Sequence, residues 1–493
     1  MDKHQFLRIH RSGALVFRHA EREDGASAAT ASRAREGLAV RDLSSKLRAI
    51  IAKNPARELP LEPDVPEKRG VLPPPPDVSR AAAALGGRPI ENKYGAVLTV
   101  DRRYEADRWH GAEQIGNCEI DDFEPLRTLD ARFGAAWPAP CPLGPEPQAL
   151  SPLFFDLETT GLNGGAGTVA FLVGCAWFDC GALQVRQFVL TSLAAERALL
   201  DALRTQLEAA PFVASYNGRT FDAPLMDVRW AFHRLPSPFE TKPHFDMLPP
   251  ARRLWKHRGE QPAGALARFR AEEGGSRPVD ARSGCSLMAF ERQLLGFRRV
   301  DDVPGFEIPS RYFHFLRTGD ASGLESVLEH NRLDLVSLAV LTARAARIVR
   351  GGHDACADAR ESLALGRIYE QTSRIGDARL CYERAADTGD RATRADALSR
   401  LAISLRKERR YDEAAAVWRR LLDARPARVR TLLPLERLAI EALAVHHEHR
   451  EKDLALAKKF AAALNDENGD EAIRRRLSRL ERKMSERPAP LLN

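Results

Sequence analysis

Apolar positions recur with strand-like or helix-like spacing in different parts of the chain, and the change of spacing outlines its elements. Apolar Leu153-Phe154-Phe155 leads into Asp156-Leu157-Glu158, which predicts a strand over 151–158. Two more strands are expected at 169–178 and 184–190, joined by the tight turn Asp179-Cys180-Gly181-Ala182. Helical spacing follows over 193–209, then a short buried strand at 212–216. Pro224 suits the first turn of the next helix, which runs to about residue 234. Further helices are expected at 247–255, 286–295 and 324–349. This order describes a compact α/β domain over 151–350.

The flanks have a different texture. Residues 1–90 are rich in Ala, Arg, Glu and Pro, hold one short helical pattern at 43–52 and end in the prolines of 73–76, so they read as a disordered or linker arm. Residues 91–150 form a small extension with a strand at 96–100 and a proline-rich linker at 137–147. The Gly-, Arg- and Ala-rich stretch 256–284 reads as an exposed loop or insertion. Beyond 350 the pattern is helical and self-similar: Leu365, Ala378 and Tyr382 recur about 36 residues later as Leu401, Ala414 and Trp418. A looser third unit spans 435–464, and the repeat region is placed at 355–480. Such repeats bind peptides or other proteins, or simply cap the domain before them.

Composition narrows the class. A chain of 493 residues exceeds what one core usually serves, and 44% hydrophobic residues suffice for burial. A formal charge of +7 leans modestly towards a polyanionic partner. Seven cysteines without a CxxC pair argue against a disulfide framework or zinc knuckle and favour a reducing cytoplasm. The uncharged run 159–178 has the length of a membrane span, but Asn163, Gly164, Gly165 and Gly167 interrupt it, so strand, turn and strand is the better account.

Candidate chemistry starts at the first strand. Side chains at i and i+2 share a face, so Asp156 and Glu158 project together. Two acids at a strand end are often merely solvated. If more acids converge there, hard oxygen donors of this kind suit Mg²⁺ or Mn²⁺. Asp222 follows a short strand and opens a helix, where it is either an N-cap or a third acid. His330 and Asp334, four residues apart on a long helix, share a face.

Asp156-x-Glu158, Asn217-x-x-x-Phe221-Asp222 and His330-x-x-x-Asp334 occur in the order of the three motifs of DEDD-type 3′ to 5′ exonucleases. The runs 155–171, 217–225, 243–246, 249–255 and 329–336 resemble more closely the YprB-like family of ribonuclease-H-like exonucleases with C-terminal tetratricopeptide-like repeats. The resemblance spans about residues 94–465. It implies a ribonuclease-H-like domain, a mixed sheet flanked by helices, followed by an all-α tetratricopeptide-like region. It also implies a two-metal hydrolase of single-stranded DNA or RNA. Asp156, Glu158, Asp222 and Asp334 would hold two Mg²⁺ or Mn²⁺ ions, and His330 would accept the proton of the attacking water. With an ordinary imidazole as the base, activity would rise through roughly pH 6 to 8. The chain departs from the pattern at its third motif. His330 stands at the spacing of the tyrosine subclass, while Glu329 occupies the position of the histidine subclass.

Thr159, Thr160, Gly161 and Asn217 are candidate contacts to the terminal nucleotide, or else they close turns. Asp246 is either a supporting acid or a helix cap. Arg252, Arg253, Lys256, His257 and Arg258, with Trp255 among them, either track phosphates and stack a base or form a solvated surface. The class-different alternatives are an inactive nucleic-acid-binding scaffold that recruits partners through its repeats, and a phosphatase or nucleotide hydrolase.

Overall fold

A computed structural model describes residues 76–136, 151–161, 167–256, 284–425, 431–464 and 471–486. Among them, β1 (Arg88–Asn92), β2 (Gly95–Tyr104), β5 (Leu153–Thr159), β6 (Ala170–Asp179), β7 (Ala182–Val189), β8 (Val213–Ser215) and β9 (His244–Asp246) form one sheet. Its order is β1-β2-β7-β6-β5-β8-β9, and a small hairpin, β3 (Trp109–His110) with β4 (Glu113–Gln114), stands apart. Neighbours from β1 to β5 are antiparallel, whereas β5 pairs with β8, and β8 with β9, in parallel. The sheet is therefore mixed. The β6–β7 turn closes at Cys180 and Gly181 with φ of 52° and 75°, the left-handed pair that a two-residue hairpin requires.

The sheet begins before residue 151. β2 pairs with β7 along its length, from Leu98 opposite Val189 to Tyr104 opposite Leu183. The segment ahead of it is also structured: α1 (Val78–Leu85) starts where Asp77 accepts from the Ser79 amide at 2.8 Å and stops at left-handed Gly86. Averaging composition over 1–90 hid this helix, whose apolar stripe is only Ala81, Ala82 and Leu85. The expected helix at 43–52, the proline linker at 137–147, Asn163, Gly164 and Gly165, and nearly all of the 256–284 insertion lie outside the described residues.

Helices cover both faces. Phe155 and Leu157 of β5 join one core with α2 (Glu196–Ala209) and α3 (Asp222–Phe232). Phe154 joins the other core with α4 (Leu248–Trp255) and the last turns of α6 (Glu325–Gly351). Alternation thus sets Asp156 and Glu158 on the Phe154 side, beneath α6. Between α4 and α6 lies α5 (Ile308–Thr318), which the sequence reading left unassigned along with β9.

After α6 the described chain is helical: α7 (Ala359–Gln371), α8 (Ile375–Thr388), α9 (Arg391–Lys407), α10 (Tyr411–Asp423), α11 (Pro434–His446), α12 (Leu454–Ala462) and α13 (Glu471–Ser485). Each packs on the next. Leu365, Ala378, Tyr382, Leu401, Ala414 and Trp418, which carry the 36-residue offset, are all buried. Their core is continuous with the one beneath α6 and is reinforced where Trp255 Nε1 donates to Glu361 at 2.7 Å.

Candidate active site

β5 and its parallel neighbour β8 end at the same edge of the sheet, where ligand sites of open α/β sheets gather. The register of β5 against β6 shifts between Glu158 and Thr159. A bulge here bends the strand just past the two acids. Beyond β8 the chain turns through Asn217, with φ of 67°, and Gly218, then enters α3 with Asp222 as its first residue. Asp246 secures that turn by accepting from the Asn217 amide at 2.8 Å and the Arg219 amide at 3.3 Å, and it also accepts from Leu248 N at 3.0 Å at the head of α4. α3 is tied to α2 by buried Arg229, whose Nε and Nη2 donate to the two Glu196 oxygens at 2.6 and 2.5 Å.

α6 reaches the site because β6 offers no side chain at Gly174, which faces Asp156 across the sheet. A Cβ there would collide with the Asn331 amide and the Leu335 side chain. Asn331, fully buried, donates to Asp156 Oδ2 at 2.8 Å and accepts from Gln187 Nε2 at 2.8 Å. His330, next to Asn331, and Asp334, about one turn further on, lie over the strand end: His330 Nε2 is 3.9 Å from Glu158 Oε1 and 3.5 Å from Asp334 Oδ2. One donor atom each from Glu158, His330 and Asp334 fits within 4.8 Å, a span that a single cation can bridge. Glu329 points elsewhere, with its side chain half exposed and paired to Arg332 at 2.6 Å.

The charges oppose one another. Burial first, then Asp334, Glu158 and Asp222, push the Asp156 carboxyl well above its ordinary range, against the pull of the Asn331 hydrogen bond. Glu158 is raised by burial and by Asp334, Asp222 and Asp302, with Arg299 pulling back. Asp222 is pushed up to about 7 by burial, with Asp246 and Asp334 adding to it. Asp156 and Asp222 stand outside the group of three formed by Glu158, His330 and Asp334, yet Asp222 and Asp334 raise both Asp156 and Glu158, so like charges crowd this strand end and a divalent cation is the group that would reverse their repulsion. Hard oxygens with one imidazole fit such an ion.

A model of the RNase_H superfamily matches residues 153–346, from the first residue of β5 to the last turns of α6. The chain is also 31% identical over 346 residues to "Uncharacterized protein YprB" of Bacillus subtilis (strain 168), covering 67% of this chain and 75% of that protein. It belongs to the YprB family of the RNase_H superfamily. Enzymes of the RNase_H superfamily typically hydrolyse nucleic acids and use divalent metals, which agrees with the acids gathered here. Among the described residues no helix is long and apolar enough to cross a membrane.

Other residues singled out in this YprB-family chain have structural duties. Thr159 Oγ1 donates to Gly161 O at 2.9 Å, and Thr160 Oγ1 accepts from Val169 N at 3.0 Å, so both hydroxyls help close the turn after β5. Asn217 takes the left-handed conformation of the β8–α3 turn. Trp255 is buried and therefore offers no stacking face, and Arg253 donates to Leu129 O. His257 and Arg258 lie outside the described residues. Four residues at the site went unnoticed in the sequence: Gln187, Arg299, Asp302 and Asn331. Asn331 stood inside the third motif, but only the packing against Gly174 reveals its role. Arg299 and Asp302 belong to the charged run 298–302, which reads as an ordinary solvated loop.

Proposed function

We propose that this chain is a metal-dependent 3′–5′ exonuclease that hydrolyses single-stranded nucleic acid with two Mg²⁺ or Mn²⁺ ions. The observation that supports this most is the crowding of Asp156 and Glu158 of β5, Asp222 at the head of α3 and Asp334 of α6, with Asp334 raising the proton affinity of the other three. In this reading those four carboxylates hold the ions, which supply an activated water and neutralise charge on the reacting phosphate. His330 Nε2, facing Glu158 and Asp334, accepts the proton of the attacking water. The turn at Thr159, Thr160 and Gly161 and the turn at Asn217 flank the acids and meet the terminal nucleotide through backbone groups. The helices from α7 onward serve as tetratricopeptide-like repeats that bind a protein partner, and the free thiols among the described cysteines suit a cytoplasmic setting.

The test is incubation of the purified full-length chain with 3′- and 5′-labelled DNA and RNA oligonucleotides plus Mg²⁺ or Mn²⁺, beside Asp156→Ala. Stepwise shortening from the 3′ end, lost in the variant and in chelator, is expected. Binding without cleavage would favour the inactive scaffold, and turnover confined to mononucleotides would favour a phosphatase.

A further inference from the structure

His330 has a second carboxylate neighbour on the side away from the strand. Its Nδ1 lies 2.7 Å from Asp302 Oδ1, the arrangement in which an ionised carboxylate would accept a hydrogen from Nδ1. Asp302 is itself held, since its Oδ2 accepts from Arg299 Nη1 at 3.3 Å. The Arg299 side chain is only 3% exposed and branches three ways: Nε and Nη2 reach the two oxygens of buried Glu291 at 3.0 and 2.5 Å, and Nη2 also donates to Asp334 Oδ1. Only a planar guanidinium can serve Glu291, Asp302 and Asp334 at once. Burying it costs solvation that those three acids offset together, and removing one partner would strand charge in the interior.

We propose that Asp302 and Arg299 form a positioning clamp that holds His330 in the tautomer with hydrogen on Nδ1, and that leaves Asp334 with only Oδ2 turned towards His330. The Nε2 lone pair then faces Glu158 and Asp334 instead of offering them a hydrogen. A second-sphere carboxylate on the far nitrogen is the usual way a working imidazole is oriented. The clamp has a reason for its location: His330 and Asp334 sit one turn apart on α6, so a single loop, 298–302, can grip both. That the freed Nε2 takes a proton rests on the exonuclease reading. The tautomer itself does not.

The experiment is two-bond ¹H–¹⁵N correlation spectroscopy on the full-length, histidine-labelled protein with Mg²⁺, at about pH 8.5, where an ordinary imidazole is neutral. His330→Gln identifies the signals among the 13 histidines. The wild type is expected to show hydrogen on Nδ1. In Asp302→Asn, whose amide can donate to Nδ1, the population shifts to hydrogen on Nε2, and Asp302→Glu restores the original form at least in part. Oligonucleotide hydrolysis in Asp302→Asn should fall about 100-fold in kcat with little change in KM, the scale of a lost proton acceptor. A wild type with hydrogen on Nε2, or an Asn variant that keeps it on Nδ1, overturns the clamp. If the wild type cuts no oligonucleotide, the exonuclease reading fails, and the tautomer measurement still decides the clamp.

Discussion

Acids at the end of β5 and acids among the C-terminal helices are the same residue types under opposite electrostatics. Burial and neighbouring carboxylates push Asp222 up to about 7 and raise Asp156 and Glu158. On the helices, the hydrogen bond from Arg360 and the Thr393 amide hold Asp390 down to about 2. Burial would raise Glu448 of the α11–α12 connection, but Arg479 and Lys483 outweigh it and bring it to about 2. In the helical region the chain supplies its own counter-charge, with Arg420 bridging Glu383 and Asp387 at 2.6 Å each. At the strand end Arg299 is shared among Glu291, Asp302 and Asp334, and Asp156, Glu158 and Asp222 stay raised. The proposed metal ions would make up that shortfall.

The strongest way to sharpen this contrast is Asp222→Asn. It should lower metal-dependent hydrolysis by about a thousandfold, the scale of removing a group that stabilises transition-state charge, while raising the melting temperature of the metal-free protein at pH 8. Loss of both activity and metal-free stability would mean that the acid is simply structural. Next in size is Gly174→Ala, which forces α6 off β6. Overpacking of this kind costs about 1–3 kcal/mol, read in denaturant melts, and should weaken Mn²⁺ binding measured by calorimetry because Asp334 moves with the helix.

A pH series separates the two regions directly. Raised folded-state values mean that the native site keeps protons the unfolded chain releases. That contribution is present below pH 4 and is lost as pH rises through about 7. The metal-free wild type should therefore lose melting temperature between pH 5 and 8 relative to Asp222→Asn, and Mg²⁺ should close the gap. Depressed values act the other way: what Asp390 and Glu448 contribute is present above their unfolded values and lost as pH falls towards about 2. Thermal melts with and without chelator check both arms. The smallest effect is expected from Arg420→Ala, whose partners are largely solvated: at most about 1 kcal/mol in melts, and no change in hydrolysis.

Much of this arrangement was legible because it is periodic. Alternation along 153–158 placed Asp156 and Glu158 on one face, and the i, i+4 spacing placed His330 beside Asp334. Other contributions were not legible, for different physical reasons. β9 is three residues long, too short for any period, and α1 is an alanine stripe inside an arginine- and proline-rich stretch. Arg299 and Asp302 carry no local signature, since their meaning depends on Glu291, His330 and Asp334 being brought to them by the fold. The choice between Glu329 and His330 also needed three dimensions. One residue along a helix is a rotation of about 100°, enough to turn Glu329 out to Arg332 and His330 inward.

α6 is 27 residues long, a rod of roughly 40 Å, with His330 and Asp334 near one end. At the other end Tyr369 of α7 donates to Val349 O at 2.7 Å, where the helical array begins. Such a rod works as a lever arm between the two regions. A tilt of about 2° imposed at the array shifts the far end by roughly 1 Å, the order of misplacement that can cost a hundredfold in rate. A partner docked on the helices from α7 onward, as proposed above, would reach the spacing of the carboxylates through this helix.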